Sequence, residues 1–251
     1  MLTGKHALVT GGGTGVGARI ALALAGAGAA VTVCGRRNAP LVETASRHPA
    51  IGHVCGDVTD TRSVAAMFEE AARLRGPVGI VVANAGAAAS KPFLKMDADD
   101  LDAMLSVNLS GVFNVWQAGL PSMLEARWGR LIAIASTAGL KGYPYVSAYC
   151  AAKHGVIGLT RALATELAGS GVTANAICPG FTETPMLQSS IENIMRKTGR
   201  SRAEAEAILK QHNPQGRFIQ PEEIAESVLW LCDDASRSVT GQAISISGGE
   251  I

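Results

Sequence analysis

Three residues in the middle of the chain have the types and spacing to move a proton between an alcohol and a carbonyl. Ser136 ends an apolar run, Tyr149 follows it, and Lys153 lies one helical turn further on, all within STAGLKGYPYVSAYCAAK. From Ser147 the segment SAYCAAKHGVIGLTRALATELAG has helical period and length and closes on Gly169. Tyr149 and Lys153 therefore share one helix face. That face is otherwise small and apolar (Ala148, Ala152, Gly155, Val156), and a lysine there needs a purpose, because burying an unpaired charge is costly. A free phenol has a pKa of about 10, too high for proton exchange near neutrality. Lowering it by roughly 3 units takes about 4 kcal/mol of preference for phenolate, which a close ammonium in a poorly hydrated cleft supplies. Ser136 then donates a hydrogen bond to the same substrate oxygen. The bland alternative is an ordinary helix whose tyrosine and lysine face solvent, and this spacing alone does not decide between them.

The elements that must position these residues follow a strand–helix rhythm. Arg130–Ser136 is a buried strand between Gly129 and Gly139. Near the start, residues 6–10 form a short strand that feeds Gly11-Gly-Gly-Thr14-Gly15-Val16-Gly17 and then the helix ARIALALAGAGA. A glycine-rich turn opening a helix is an anion site, and Gly15 and Gly17 allow close approach of a pyrophosphate and close helix–strand packing. The next strand, 30–35, ends in Arg36-Arg37 rather than in the carboxylate that would accept from a ribose 2′-OH. Two guanidinium forks suit a 2′-phosphate, which favours NADP(H), with NAD(H) as the alternative. Solvated loop arginines are the plainer reading of the same pair.

Residues 51–54 lead to Asp57-Val58, placed at a strand end to read an adenine edge, and 61–75 are helical. Gly79–Ala83 is a buried strand ending in Asn84-Ala85-Gly86. A long helix covers 97–126, with Asn108 inside it as a poor mid-helix residue that breaks the ladder or sits satisfied in the core. Val172–Cys178 is a strand followed by Pro179-Gly180-Phe181-Thr182-Glu183-Thr184. Segment 186–214 turns polar and charged; Ser201 and Glu204 form a capping box for a helix of about ten residues. That segment reads as a mobile helical lid over the strand ends, its cations a solvated face. A helix over 222–232 and a strand over 242–246 complete a single domain, 1–251, with the lid at about 184–214.

Charged residues make up 17% of the chain and the net charge is +1, with no basic run, which argues against nucleic acid. No uninterrupted apolar stretch is long enough for a membrane span, and the early first strand leaves no room for a signal peptide, so a cytoplasmic protein is expected. The five cysteines are scattered, and Cys34, Cys150 and Cys178 read as small hydrophobes rather than a disulfide framework. The five histidines lack ligand spacing, so no metal is expected.

Taken in order, Thr10-Gly11-x-x-x-Gly15-x-Gly17, Asp57, Asn84-Ala85-Gly86, Asn108, Ser136, Tyr149-x-x-x-Lys153, Asn175, Pro179-Gly180 with Thr184, and Thr240-Gly241 make a specific pattern. The chain resembles the short-chain dehydrogenase/reductase family over essentially its whole length. The resemblance implies a Rossmann-like, doubly wound α/β fold: seven parallel strands, helices on both faces, usually assembled as a homotetramer or a dimer. It implies a proton relay of Asn108, Ser136, Tyr149 and Lys153, with Lys153 also holding the nicotinamide ribose. It implies that the Phe181 backbone and the Thr184 side chain orient the carboxamide. The cofactor-contacting set then runs through Gly11, Thr14, Gly15, Val16, Gly17, Arg36, Arg37, Asp57, Val58, Asn84, Ala85, Gly86, Tyr149, Lys153, Pro179, Gly180, Phe181, Thr182 and Thr184. Ala83 departs from the family where many members carry a first asparagine, and Thr14 where some NADP(H) enzymes carry a base.

The runs CPGFTETPM and NPQGR look most like ketoreductases acting on 3-oxoacyl thioesters and polyketides. Members serving acyl carrier protein tend to present basic residues near Arg130 and near the loop at Ser170; here Arg130 is present and Ser170 is neutral, which leaves coenzyme A thioesters and free ketones open. The expectation is an NADPH-dependent carbonyl reductase of a small-molecule ketone or acyl thioester, with Tyr143 and Met186 joining Ser136 and Tyr149 around the substrate. The rivals are a secondary-alcohol, sugar or steroid dehydrogenase and a nucleotide-sensing regulator without catalysis. A serine hydrolase is excluded because no G-x-S-x-G surrounds Ser136.

Overall fold

Short runs of valine, isoleucine and alanine with no polar alternation make strands buried on both faces, the signature of a parallel sheet. The computed structural model describes residues 2–251 and places these runs as β1 (His6–Thr10), β2 (Ala30–Gly35), β3 (Ile51–Cys55), β4 (Ile80–Ala83), β5 (Gly129–Ile134), β6 (Val172–Pro179) and β7 (Ala243–Ile246). They form one parallel sheet in the order β3-β2-β1-β4-β5-β6-β7. Among the described residues the α-helices are α1 (Gly15–Gly26), α2 (Asn38–Ser46), α3 (Thr61–Arg75), α4 (Ala98–Leu105), α5 (Gly111–Glu125), α6 (Ser147–Glu166), α7 (Pro185–Thr198), α8 (Arg202–Lys210) and α9 (Pro221–Cys232). One core, with Met67, Val115, Trp116 and Val156, lies between the sheet and α3, α5 and α6; the other, with Ile20, Leu24, Leu41 and Val228, lies under α1, α2 and α9. The doubly wound arrangement expected of the chain is the one it adopts.

Strand order reverses between β1 and β4, so the turns that follow these two strands open a crevice side by side, the usual ligand position in such sheets. Thr10 and Asn84 fasten the two turns together. The Thr10 hydroxyl accepts from the backbone N–H groups of Asn84 and Ala85, both at 3.0 Å. The Asn84 amide donates back to the carbonyls of Thr10 at 2.9 Å and Gly11 at 3.3 Å. Gly17 is forced by this bracket: a Cβ there would overlap Asn84 Nδ2 and the Gly11 carbonyl.

Element limits agree with the sequence reading to within a few residues, and three features go beyond it. Helix α2 buries only Leu41 and Thr44 and carries too faint a period to read. The expected long helix over 97–126 is divided by a wider π-turn at Ser106–Ser110, with Asn108 at its centre. The lid contains two helices, not one. Helix α7 is capped by Thr184 and ends on left-handed Gly199, and α8 begins on the foreseen Ser201/Glu204 capping box. Leu187, Ile191, Ala205, Leu209 and Phe218 give this hairpin a small core of its own.

Arg130 corrects the sequence reading. It stands at the amino end of β5, across the sheet from the crevice, and its side chain is 2% exposed rather than on the surface. The guanidinium folds back to donate to the Gly129 carbonyl (2.9 Å), pairs with Asp234 (3.0 Å) and lies 4.6 Å from the Trp128 ring centroid. So placed, it offers no basic docking surface. All five cysteines are free; Cys34, Cys150, Cys178 and Cys232 are buried and Cys55 is exposed. No helix among the described residues is long and apolar enough to cross a membrane.

Overpacking predicts a paired outcome. Gly17→Ala should cost about 2–3 kcal/mol in urea unfolding, because its neighbours are backbone and a committed amide. Gly26→Ala, in the same helix with open space around it, should be neutral or stabilising by about 0.5 kcal/mol. Equal stability changes for the two would show that the bracket at Thr10–Asn84 is not rigid.

Candidate active site

Strand β5 ends where an extended Ser136 caps the short turn Thr137–Gly139, its hydroxyl accepting from the Ala138 N–H at 3.1 Å. Helix α6 returns along the sheet and brings Tyr149 beside Ser136. Lys153 is 4% exposed, so the solvent-facing alternative fails. Its ammonium donates to the Ile134 carbonyl at 3.0 Å and lies 5.6 Å from the Tyr149 ring centroid. Asn108 is fully buried in the π-turn, donates to the carbonyls of Ala87 (2.9 Å) and Met104 (3.0 Å), and accepts from the Ala87 N–H at 3.3 Å. Gly86 lies between the two: a Cβ there would sit 2.8 Å from Asn108 Oδ1 and 3.8 Å from Lys153 Nζ. Ser136, Tyr149, Lys153 and Asn108 thus converge at the carboxyl ends of β4 and β5.

Electrostatics here depart from expectation. Burial pushes the Tyr149 phenol up to about 12, against a smaller opposing pull from the Ser136 hydrogen bond. Burial also brings Lys153 down to about 8. The ammonium therefore does not lower the phenol: it is spent on the Ile134 carbonyl and sits over the ring, and desolvation outweighs it. What results is a phenol held as an acid beside an amine that exchanges protons near neutrality.

The crevice carries the residues expected to hold a dinucleotide. Gly11 and Gly15 take left-handed backbone at φ +63° and +53°, and Thr14 leaves the start of α1 without a side-chain cap or an acid in its first turn. The leading N–H groups of α1 are therefore offered to an anion. Val16 packs beneath them, and a cavity of about 460 Å³ borders Gly13, Thr14, Gly15, Arg19 and Pro185. Arg36 and Arg37 are exposed past the end of β2, and neither pairs with a carboxylate among the described residues. These features fit a dinucleotide.

Other expected contacts have structural tasks. Asp57 accepts from the Thr59 N–H (2.9 Å) and hydroxyl (2.8 Å), which with Arg36 holds its carboxyl below the usual range. Val58 is buried, and its carbonyl accepts from Asn114. The Asn84 amide serves the bracket to the glycine turn, and Ala85 packs against the core. Pro179 ends β6, Gly180 donates to Ile246, the Phe181 carbonyl accepts from Ile219, and the Thr182 hydroxyl bonds Gly180. Thr184 caps α7 and abuts Gly15, closing the start of the lid onto the glycine turn.

Met186 is exposed in the first turn of α7. Tyr143 turns its hydroxyl away to Glu250 (2.6 Å) and Thr137 (2.7 Å), and its ring meets Phe181 and His212 edge-on. Glu250, Lys141, His212 and Thr137 were not read from the sequence. Only the Gly248-Gly249 doublet signals that the chain bends back here.

Residues 5–194 match the model of the short chain dehydrogenase family. Over 193 residues the chain is 40% identical to a Thermotoga maritima protein named 3-oxoacyl-[acyl-carrier-protein] reductase FabG, covering 77% of this chain and 74% of that one. Over 255 residues it is 36% identical to D-beta-hydroxybutyrate dehydrogenase of Cupriavidus necator, covering 99% and 98%. A crystal structure of an actinorhodin polyketide ketoreductase variant with NADPH superposes with a TM-score of 0.95 at 36% identity, over 100% of this chain and 99% of that one.

The buried lysine makes stability depend on pH with a definite sign. Unfolded, Lys153 keeps its proton to about 10.5; folded, it releases it near 8, so between these values the unfolded state binds more protons and Lys153 destabilises less as pH rises. Lys153→Met should therefore be about 2 kcal/mol more stable than the parent near pH 7, a gap that closes toward pH 10. Urea unfolding of both proteins across that window measures it. A gap that stays constant with pH would mean the amine is not titrating in place.

Proposed function

The chain belongs to the short-chain dehydrogenase family of oxidoreductases acting on CH–OH groups, and on that premise we propose that it is an NADPH-dependent reductase of a 3-oxoacyl thioester ketone. The convergence of Ser136 and Tyr149 beside buried Lys153, which lies over the Tyr149 ring at the mouth of the glycine turn, carries the reading. The nicotinamide supplies or recovers the hydride when bound. The N–H groups at the start of α1 hold the pyrophosphate, and Arg36 and Arg37 take the 2′-phosphate.

Ser136 donates to the ketone oxygen and fixes its position. Tyr149 gives its proton to the oxygen as charge develops there. A phenol with a pKa of about 12 is protonated at neutral pH, the form a reductase needs at the start of its cycle. Lys153, with a pKa of about 8, is the nearest group able to hand a proton back to Tyr149, and Asn108 secures the turn at Ala87 beside it. The Tyr143 ring and Met186 supply apolar walls for an acyl chain. Names of relatives such as 3-oxoacyl-[acyl-carrier-protein] reductase support the thioester class, and the bound NADPH of the actinorhodin ketoreductase supports the cofactor. A homotetramer, with a dimer as the alternative, goes with this reading; Leu101, Phe113 and Leu124 leave apolar surface on α4 and α5 for a second copy.

Two measurements test it. Initial rates with acetoacetyl-CoA should show NADPH preferred over NADH by about tenfold or more, and Arg36→Ala with Arg37→Ala should abolish the preference by raising KM for NADPH alone. A preference for NADH would make both arginines surface charges. Tyr149→Phe should lower kcat by about 10³-fold while the dissociation constant for NADPH changes by less than about twofold. Turnover near that of the parent would remove Tyr149 as proton donor.

A further inference from the structure

Beyond β7 the chain turns through two left-handed glycines, Gly248 at φ +67° and Gly249 at φ +95°. The turn is seated on the end of the lid: a Cβ on Gly248 would overlap the Asn213 side chain. It delivers Glu250 into the wall of the cleft, with a side chain only 3% exposed. One carboxylate oxygen accepts from Tyr143 at 2.6 Å and from Lys141 at 2.8 Å, and faces His212 at 3.6 Å. Tyr143 is in turn 2.7 Å from the hydroxyl of Thr137, the neighbour of Ser136. The other oxygen lies 3.4 Å from where Gly180 would carry a Cβ. A hydrogen-bonded chain thus runs from beside Ser136 to an ion pair between a buried carboxylate and a partly exposed lysine.

A lysine in this wall would be the natural receptor for a carboxylate one or two carbons from the reacting ketone. Glu250 has taken that lysine: the buried carboxylate cancels its attraction for an anion and adds a repulsion of its own, which shielding from water strengthens on the Glu250 side. Three further cations are engaged elsewhere: Lys91 with Asp97 and Asp100, Lys197 with the Ser90 carbonyl, Lys153 with the Ile134 carbonyl. Resting on the ketoreductase reading above, we propose that Glu250 sets the substrate class, admitting neutral 3-oxoacyl thioesters and turning away free 3-oxo acids by neutralising Lys141. Tyr143 is aligned by the same carboxylate, so its ring rather than its hydroxyl faces the acyl chain.

The test compares acetoacetate with the N-acetylcysteamine thioester of acetoacetate as ketone, using the full chain and NADPH. The parent should use the thioester and reduce acetoacetate poorly. Glu250→Gln should raise the acetoacetate-to-thioester ratio of kcat/KM by about tenfold, Glu250→Asp by less, and the added change Lys141→Met should remove the gain. Calorimetric titration with acetoacetate reads the anion site without turnover, and binding should be gained in Glu250→Gln and lost again with Lys141→Met. A parent that reduces both ketones alike overturns the proposal, as does a ratio unmoved by Glu250→Gln or a gain that survives without Lys141. A parent that reduces neither ketone removes the ketoreductase reading, and the titration still decides the role of Glu250. Should Glu250→Gln fail to fold, Glu250→Asp carries the comparison.

Discussion

An ammonium group kept in a nearly dry interior constrains everything built around it. Lys153 reaches back from α6 to the Ile134 carbonyl at the end of β5, and that single bond replaces the water it has lost. The cost of its charge is visible in its pKa, drawn down to about 8 by burial. The α6 positions beside it are small, Ala148 and Ala152, and Gly86 lacks a side chain because a Cβ there would overlap the Asn108 amide oxygen. The π-turn in the helix before β5 exists for the same corner. It swings Asn108 inward to pair both polar groups of Ala87, so that the loop next to Lys153 cannot collapse onto it.

Desolvation acts on the tyrosine as well, and in the opposite sense. Both members of the pair move toward neutrality, the phenol by keeping its proton and the amine by yielding one more readily. A pair that merely stabilised phenolate would be poorly supplied with protons for reduction. Two neutral-leaning groups side by side suit a proton donor and its source, and the Ser136 hydrogen bond moderates the phenol without ionising it. The glycine turn answers to a separate requirement. It is clamped by Asn84 from the adjacent strand, so the anion-binding N–H groups and the proton-transfer corner belong to one rigid crevice between β1, β4 and β5.

How much of this was legible follows from the range of the signals. The Tyr149–Lys153 spacing, the glycine turn and the Ser201/Glu204 box are local patterns, so they survive in a bare sequence. Asn108 was legible as an anomaly but not as a π-turn, because ladder defects depend on the partner at Ala87. The sign of the Tyr149 shift was misjudged: proximity of Lys153 is written in the sequence, whereas the depth of burial and the competing Ile134 carbonyl are not. Arg130 failed for a related reason, since β5 has the same residues whether its arginine points outward or folds back on Gly129. Helix α7 was hidden because its apolar positions, Leu187 and Ile191, serve a satellite core that exists only once α8 and Phe218 are in place.

Two ion-paired basic residues at opposite ends of the sheet, Arg130 buried and Lys141 partly exposed, show why position decides meaning. Arg130 at the amino end is paired with Asp234, whose side chain is 77% exposed, and is braced by Trp128, away from the crevice. Lys141 at the carboxyl end is paired with a carboxylate that is itself buried and that bonds Tyr143, the partner of Thr137 next to Ser136. A buried ion pair is weak evidence for stability, since apolar residues of the same volume usually do as well or better. An apolar pair would have lined an acyl pocket at lower desolvation cost, yet would have been indifferent to an anion passing over it. A lysine alone would have attracted one. Only the compensated pair is both polar enough to align Tyr143 and inhospitable to a substrate carboxylate, and discrimination built from such a repulsive element is how a site rejects a close analogue that fits by shape.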